Sequence, residues 1–253
     1  MITMSIMDNN ESYNVNSIND IKYCLYINLD FRLDRKEHVE SQLKSIGLEN
    51  IYKRFNAIKK ENGRIGCSLS HLKCLQIAKE NNWDHILICE DDIQFLNPSL
   101  FINQCNNFLK NHKNWDVLLL AGNNVPPYIK VDNTCVKVSH CQTTTGYIVK
   151  SHYYDILINN IKEGIQYLMK DPNNHFHYAI DKYWLLLQKQ NNWFLIIPPT
   201  VIQREDYSDI EKRNTNYKHL MTDLDKSHLI KSSIMSNIPS INMHASIPGM
   251  FKK

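Results

Sequence analysis

Three consecutive acidic residues, Glu90, Asp91 and Asp92, directly follow the apolar run at residues 85–89. In an extended chain, side chains alternate between two faces, which predicts that Glu90 and Asp92 face one way and Asp91 the other. Two carboxylates on one side repel each other unless a cation lies between them, and oxygen ligands suit Mg²⁺ or Mn²⁺. The triplet therefore predicts a divalent metal site. The simpler alternative is that the acids only turn the chain toward solvent after a buried strand.

A second polar group lies at residues 66–71, where Ser68, Ser70 and His71 are predicted to crowd the start of a helix. Free backbone N–H groups and the positive end of the helix dipole favour an anion there, such as a diphosphate. The alternative is that Ser68 caps the helix and His71 is a surface or half-buried side chain.

Polar residues also follow the apolar run at residues 23–29. Asn28 and Asp30 end this run, and Arg35 comes shortly after it. In open α/β sheets, ligands bind at the carboxyl ends of the strands. We therefore expect Asn28, Asp30 and Arg35 to face a nucleotide, with the alternative that Asp30 and Arg35 only stabilise the turn.

The elements that must position these residues alternate between strand and helix. Hydrophobic patterns and cap residues predict strands at residues 23–29, 54–58, 85–89, 117–120, 136–138, 146–149 and 194–197. They predict helices at residues 34–46, 68–82, 97–109, 153–169 and 179–188. Alternation with short connections is typical of βαβ units, and therefore of an α/β fold with a mostly parallel sheet.

Composition argues against several function classes. Glycine is scarce, at 7 residues in the chain of 253, and no G-x-G-x-x-G or P-loop pattern occurs. A formal net charge of +3, with no concentrated run of Lys and Arg, argues against nucleic acid as the main partner. These features disfavour a Rossmann dinucleotide enzyme, a P-loop enzyme and a nucleic-acid-binding protein.

Cysteine usage and the N-terminus predict a cytoplasmic protein. The 7 cysteines are an odd number without C-x-x-C spacing, and only Cys135 and Cys141 lie where a disulfide is easy to imagine. No signal-peptide pattern opens the chain, and no apolar run approaches the roughly 20 residues that span a bilayer. The abundance of Asn, Ile and Lys indicates an AT-rich coding genome, such as a viral one.

Three motifs carry a resemblance to a known family. They are Tyr-Ile-Asn-Leu-Asp at residues 26–30 with Arg32 and Arg35, Gly-Cys-Ser-Leu-Ser-His at residues 66–71, and Leu-Ile-Cys-Glu-Asp-Asp at residues 87–92. In this order and spacing they resemble glycosyltransferase family 25, which includes lipooligosaccharide and collagen hydroxylysine galactosyltransferases. Looser pieces at residues 144–147, 180–181, 198–203 and 208–210 extend the resemblance. Arg64 stands where family members often have Glu.

The resemblance implies a GT-A-like fold, with helices on both faces of the sheet and a Rossmann-like N-terminal half. It predicts a catalytic domain at residues 21–210, and the mixed polar composition of residues 1–20 predicts a frayed N-terminus. Within that domain, residues 21–122 would form the nucleotide-sugar half and residues 123–210 the acceptor half. Residues 211–253 would form a tail that orders over the site or against the sheet.

The resemblance also implies a metal-dependent, inverting transfer of galactose or glucose from a UDP-sugar to a hydroxyl. The acceptor would be a glycan, a lipid-linked sugar or a collagen-like hydroxylysine. Mn²⁺ or Mg²⁺ at Asp92, helped by Glu90, would stabilise the departing UDP. His244 resembles the C-terminal metal-binding His of some other GT-A enzymes, with the alternative that it is a solvated side chain of the tail. Asp181, at the start of the predicted helix 179–188, is the predicted general base, with the alternative that it only interacts with the helix dipole, and Asp91 is a further catalytic candidate. The predicted donor-binding residues are Asn28, Asp30, Arg35, Ser68, Ser70, His71 and Glu90.

Two other functions remain open at this point. A metal-dependent nucleotidyltransferase or phosphohydrolase also uses clustered carboxylates on an α/β sheet. A catalytically inactive nucleotide-sugar-binding module would bind the donor without turnover. The aromatic residues Tyr147, Trp184 and Trp193 are candidates for a sugar platform, although aromatic residues at such spacing are more often core.

Overall fold

The computed structural model describes residues 15–226 of the chain. Its strands are β1 (Cys24–Asn28), β2 (Tyr52–Asn56), β3 (His85–Glu90), β4 (Ile93–Phe95), β5 (Val117–Leu119), β6 (Asn123–Asn124), β7 (Ile129–Lys130), β8 (Cys135–Lys137), β9 (Cys141–Gln142), β10 (Gly146–Lys150), β11 (Trp193–Ile196), β12 (Val201–Gln203), β13 (Asp206–Ser208) and β14 (Arg213–Thr215). Its α-helices are α1 (Leu33–Ser45), α2 (Gly63–Glu80), α3 (Pro98–Asn111), α4 (Tyr154–Lys170), α5 (His175–Tyr178), α6 (Ile180–Tyr183), α7 (Leu185–Gln188) and α8 (Lys218–Thr222).

The main sheet has eight strands in the order β2-β1-β3-β10-β5-β11-β8-β7. All of them run in one direction except β8 and β10, which pair antiparallel with their neighbours. The segment from β1 to β3 has the order β2-β1-β3 and is connected by α1 and α2, as predicted for a Rossmann-like half. The predicted α/β class with a mostly parallel sheet is confirmed.

Hydrophobic residues cover the sheet on both faces. Side chains of alternate residues in β1 pack into two different core clusters. Tyr26 belongs to the first cluster and Leu25 to the second. The first cluster contains buried side chains of α1 and α3, and the second contains side chains of α2 and α4. Helices therefore lie on both faces, as predicted. Tyr147, Trp184 and Trp193 are fully buried in the second cluster, so they are core residues and form no sugar platform.

Helix α2 begins at Gly63, more than one turn before the predicted start at Ser68, so this boundary was wrong. The Oδ1 atom of Asn62 caps the helix by accepting from the backbone N–H of Arg64 at 3.0 Å. At Gly66 a Cβ would lie 2.4 Å from the carbonyl oxygen of Ile58, so only glycine fits this close approach. The first turn of α2 contains two glycines, Gly63 and Gly66, and glycine is a poor helix former. The sequence pattern therefore did not predict a helix at these residues.

The two ends of the described chain are packed. Val15 and Ile18 are buried, and the backbone N–H of Ile18 donates to Oδ1 of Asn106 at 2.7 Å. Residues 15–20 are therefore packed against the rest of the described chain. At the other end, α8 places Met221 in the core. Residues 1–14 and 227–253, with the predicted metal ligand His244, lie outside the described residues.

All seven cysteines lie in the described region and none forms a disulfide, Cys135 and Cys141 included. All are buried except Cys67, which is half-buried. Within residues 15–226, no helix combines the length and the apolar character that a membrane crossing requires.

Candidate active site

The carboxyl ends of β1 and β3 open onto a cavity of about 700 Å³, here called the first cavity. Asn28 ends β1 and Glu90 ends β3, and the parallel pairing of these strands brings both residues to one edge of the sheet. Arg35 of α1, Asp91 and Asp92 line the same cavity. The predicted acidic triplet thus borders a space within the range of roughly 300–1,000 Å³ that holds small ligands.

Asp91 and Asp92 share a single cationic partner. Nη1 of Arg35 donates to Oδ1 of Asp91 at 2.9 Å and to Oδ2 of Asp92 at 3.3 Å. The other oxygen of Asp91 accepts from Nδ2 of Asn28 at 2.8 Å. Oδ1 of Asp92 is buried and, among the described residues, has no hydrogen-bond partner. Burial and the charge of Glu90 raise the pKa of Asp92 well above its ordinary value.

The chain does not stay extended through the triplet, so the predicted placement of Glu90 and Asp92 on one face was wrong. Strand β3 ends at Glu90, the chain turns at Asp91 and Asp92, and β4 starts at Ile93. Because of this turn, Asp91 and Asp92 both reach Arg35, whereas the carboxylate of Glu90 contacts a different set of residues.

Oε1 of Glu90 accepts three hydrogen bonds. The donors are Oγ1 of Thr144 at 2.8 Å, Nε2 of His71 at 3.2 Å and Sγ of Cys67 at 3.5 Å. Burial alone would raise the pKa of Glu90, but the hydrogen bonds from His71, Thr144 and Cys67 lower it. Glu90 is therefore held as a carboxylate.

The tautomer of His71 follows from Tyr147. The ring of Tyr147 is fully buried, and within residues 15–226 its hydroxyl reaches one acceptor, Nδ1 of His71 at 2.8 Å. The hydroxyl proton therefore points to Nδ1, which leaves the imidazole proton on Nε2, where it is donated to Glu90. His71 lies under the carboxylate and orients it, in place of the predicted role in contacting a nucleotide.

The donor set at the triplet fits a divalent cation. Asp92 offers a buried oxygen without a donor, and two further carboxylates lie beside it, which suits the oxygen ligands that Mn²⁺ and Mg²⁺ prefer. Ligand atoms of Cys67, His71 and Glu90 also lie within 4.8 Å of one another. Burial raises the pKa of the Cys67 thiol well above its ordinary value, so the thiol keeps its proton and donates it to Glu90. The three residues therefore form a hydrogen-bonded cluster.

Two of the predicted donor-binding residues form hydrogen bonds that hold the site together. Asn28 is buried, and its Oδ1 accepts from Nε of Arg54 at 2.9 Å. Asp30 does not line the first cavity, and its two oxygens accept from Arg54 at 2.7 Å and Asn56 at 2.8 Å. Asp30 thus matches the alternative in which it stabilises the turn.

Ser68 and Ser70 lie on the second turn of α2 and not at its start. Oγ of Ser68 donates to the carbonyl oxygen of Arg64 at 2.9 Å, and Oγ of Ser70 to that of Gly66 at 2.8 Å. Ser70 also accepts from the backbone N–H of Ile58 at 2.9 Å. The helix-start argument for anion binding by these serines was therefore wrong, because the helix starts earlier.

The anion-binding features of the first cavity are residues that the sequence did not single out. The first turn of α2 lines it with Asn62 and Gly63, and Lys59, Lys60 and Lys212 add positive charge. The start of an 18-residue helix favours anions through the positive end of its dipole, while Asn62 accepts from the backbone N–H groups of Arg64, Ile65 and Gly66. The dipeptide Asn62-Gly63 was the one local signal, since Asn is a preferred cap residue.

A smaller second cavity of about 340 Å³ adjoins the first. Asp181 lines it, and Oδ2 of Asp181 accepts from the backbone N–H of Thr143 at 3.2 Å. Burial raises the pKa of Asp181. Phe176, with 69% of its surface exposed, also lines this cavity. The residues that line both cavities are Arg64, Cys67, Glu90, Gln203, Ser208 and Ile210.

Residues 204–217 form a closing segment that lines both cavities and is held by ion pairs. Oδ2 of Asp206 accepts from Arg32 at 3.0 Å and from Arg35 at 3.1 Å. Glu211 accepts from Arg64 at 2.6 Å. The segment is thereby anchored to α1 and to the first turn of α2.

Comparison with known proteins identifies one family. Residues 61–184 match the sequence model of glycosyltransferase family 25, described as an LPS biosynthesis protein. This span is just under half of the chain and contains the second and third motifs, the triplet included. The match confirms the predicted resemblance and supports a glycosyltransferase as the class of enzyme. A search of curated proteins finds no match.

Solved structures resemble the chain loosely. A mutant Drosophila beta-1,4-galactosyltransferase 7, in complex with manganese, UDP-Gal and xylobiose, is 17% identical with a TM-score of 0.31 over 54% of this chain and 52% of that one. A glycosyltransferase involved in glycosylation of the PBCV-1 major capsid is 12% identical, with a TM-score of 0.37 over 69% and 91%. A Leptospira borgpetersenii cytidylyltransferase is 11% identical, with a TM-score of 0.38 over 90% and 100%. The enzyme class therefore rests on the family match.

Proposed function

We propose that this chain transfers galactose or glucose from a UDP-sugar to an acceptor hydroxyl, with inversion at the anomeric carbon and with Mn²⁺ or Mg²⁺ as cofactor. The observation that carries the proposal is the first cavity itself. The cavity is lined by Asp92, whose buried Oδ1 has no hydrogen-bond partner within residues 15–226, and by the start of α2. A nucleotide diphosphate is suited by both features, a cation site and the positive end of a helix dipole.

The donor would lie in the first cavity with its diphosphate near the start of α2. Lys59, Lys60 and Lys212 line this cavity and supply charge opposite to that of the phosphates. The carboxylates of Asp92 and Asp91 would hold the metal ion, and Arg35 keeps them side by side. When bound, the metal ion neutralises the charge that develops on the departing UDP.

The acceptor would enter the second cavity. Its lining comes mainly from residues 123–182, the predicted acceptor half, together with the closing segment. Glu211 and Tyr217 belong to the predicted tail and line this cavity, which supports a tail that orders over the site. The exposed ring of Phe176 is suited to pack against an apolar sugar face. The acceptor classes proposed are a glycan, a lipid-linked sugar and a collagen-like hydroxylysine.

The test is release of UDP from UDP-galactose, UDP-glucose and UDP-N-acetylglucosamine, with N-acetylglucosamine, galactose, xylobiose and a hydroxylysine peptide as acceptors. We expect acceptor-dependent release with Mn²⁺ and its loss with EDTA. NMR of the product should show an inverted anomeric linkage. Faster cleavage of nucleoside triphosphates than of UDP-sugars would instead indicate a nucleotidyltransferase or phosphohydrolase. Binding of UDP without any turnover would indicate an inactive binding module.

A further inference from the structure

Under the proposed function, the bond that breaks lies where the two cavities meet, because the first cavity would hold the donor and the second the acceptor. As this bond breaks, negative charge develops on the diphosphate oxygen that leaves. A cation fixed at this junction speeds the reaction, since it stabilises the transition state more than the bound substrate. The Lys and Arg side chains that line both cavities are therefore the candidates for this role.

Within residues 15–226, Arg64 is the one such side chain. The Lys and Arg residues that line the first cavity are Arg35, Lys59, Lys60, Arg64 and Lys212. Those that line the second cavity are Arg64 and Lys182. Arg35 is in addition held by three carboxylates. Position therefore selects Arg64 as the cation that reaches the breaking bond.

The guanidinium of Arg64 is held at one nitrogen and leaves two others for a ligand. Arg64 is the second residue of α2, and its Nη2 donates to Oε1 of Glu211 at 2.6 Å. Its Nε and Nη1 have no hydrogen-bond partner in the part of the chain that the structure describes, and 25% of the side chain is exposed. The planar fork of a guanidinium matches the oxygens of a phosphate. Glu211 thus fixes a group whose remaining donors suit a diphosphate.

We propose, on the basis of the proposed function, that Arg64 is a catalytic residue that contacts the β-phosphate of the donor and stabilises the departing UDP. The acceptor oxygen bonds to the anomeric carbon, and its proton is released to solvent. The bond from the anomeric carbon to the β-phosphate oxygen breaks, and its electron pair stays on that oxygen. The charge of Arg64 neutralises part of the negative charge that this electron pair leaves on the phosphate, and Glu211 acts as its positioning residue.

The decisive variant is Arg64→Met, which removes the charge and keeps an unbranched side chain. Calorimetric titration with saturating Mn²⁺ should show that the Kd for UDP rises at least about tenfold, as expected for a lost charged hydrogen bond. The Kd for UMP, which lacks the β-phosphate, should stay within about twofold of the wild-type value. With the best UDP-sugar of the panel, kcat should fall about 10²-fold. Arg64→Lys keeps a cation without the planar fork and should recover part of this loss.

Glu211→Ala separates a catalytic Arg64 from one that only anchors the closing segment, because it breaks the same ion pair and leaves the cation in place. We expect this variant to bind UDP within about threefold of the wild-type Kd and to lose no more than about tenfold in kcat, as for the loss of one charged contact. A purely structural Arg64 would give equal losses in both variants. Arg213→Met, which is exposed on β14 and lines neither cavity, is the matched surface control.

Three results would overturn the assignment. They are equal weakening of UDP and UMP binding by Arg64→Met, a rise in the acceptor KM with an unchanged Kd for UDP, and equal losses in Arg64→Met and Glu211→Ala. If thermal melting shows that Arg64→Met does not fold, Arg64→Gln takes its place in the same comparison of UDP with UMP. Because this comparison needs no turnover, it is separate from the proposed function. A wild type that turns over no UDP-sugar, while Arg64→Met still loses UDP binding alone, would refute the proposed function and leave the β-phosphate contact.

Discussion

The first and second cavities are built from different kinds of structure. The first is formed by the ends of β1 and β3 and by the start of α2, which has 18 residues. The second is formed by the four-residue helices α5 and α6, the strand β9 and a turn in which Thr143 has φ of 79°. Sheet edges are rigid and loops tolerate change. The first cavity, the proposed donor side, is therefore set by the scaffold, and the second, the proposed acceptor side, by segments that can vary.

The carboxylates of the two cavities also differ in how they are held. In the first cavity, Asp91 and Asp92 are buried and held by Arg35. In the second, Asp181 has one backbone donor at 3.2 Å and a pKa that burial raises. Substitutions in the first cavity should therefore affect metal binding, stability and donor use, whereas those in the second should affect the acceptor.

Asp92→Asn should have the largest effect. It removes the carboxylate with the free oxygen, and we expect a loss in kcat/KM on the order of 10³-fold, since a catalytic metal supplies several kcal/mol. The measurement is UDP release with saturating Mn²⁺. Asp155→Asn, an exposed surface carboxylate, is the control. Full activity of Asp92→Asn would remove the basis for treating the first cavity as a metal-dependent site.

Arg35→Met should cost about 3 kcal/mol of unfolding free energy, because it leaves two buried carboxylates without their cation. Urea denaturation measures this cost. The double variant Arg35→Met/Asp91→Asn should recover part of it, and Mn²⁺ should stabilise the single variant more than the wild type. In the second cavity, Lys182→Met should cost less than about 1 kcal/mol, as expected for a partly exposed cation. Equal costs at both positions would contradict the contrast in charge.

Asp181→Asn should raise the acceptor KM about tenfold and leave the donor KM within about twofold, as expected for the loss of one charged contact of roughly 1.4 kcal/mol. Initial rates with each substrate varied in turn measure this split. Asp116→Asn, remote from both cavities, is a comparison for general effects on folding. A rise in the donor KM of similar size would show that the two cavities do not divide the substrates.

A carboxylate outside both cavities should give the smallest effect, and only on stability. Burial acts to raise the pKa of Asp132, but Thr134 and His112 donate to it and lower the pKa to about 2. A lowered pKa in the folded state stabilises the protein above the unfolded pKa, and this contribution is lost as the pH falls from about 4 toward 2. Urea denaturation across this range should show a smaller loss for Asp132→Asn. An unchanged pH dependence would contradict it.

Much of the fold could be predicted because its signals are local. The fully buried strands β1 and β3 appear as apolar runs, and α1 and α4 appear as helical periodicities within one or two residues of their observed bounds. The start of α2 could not be predicted in this way. Gly63 and Gly66 are poor helix formers, and Gly66 is needed for a contact with Ile58, which belongs to another segment of the chain.

In the site, residue types were informative and their roles were not. The triplet, Asn28, Arg35 and His71 all lie at or beside the cavities. Asn28 and Arg35 turned out to hold Asp91, and Ser68 to bond within its own helix. No local pattern distinguishes a carboxylate that faces a cation from one that faces a histidine.

The sequence alone predicted seven of the eight strands of the main sheet, the acidic end of the central strand and the family resemblance. These depend on neighbours in the chain, through side-chain periodicity and motif spacing. The tertiary structure decided that Asp91 and Asp92 share Arg35 and that Glu90 rests on His71 and Tyr147. The reason is that hydrogen bonds and charge pairs join residues far apart in the chain, and only folding sets those distances.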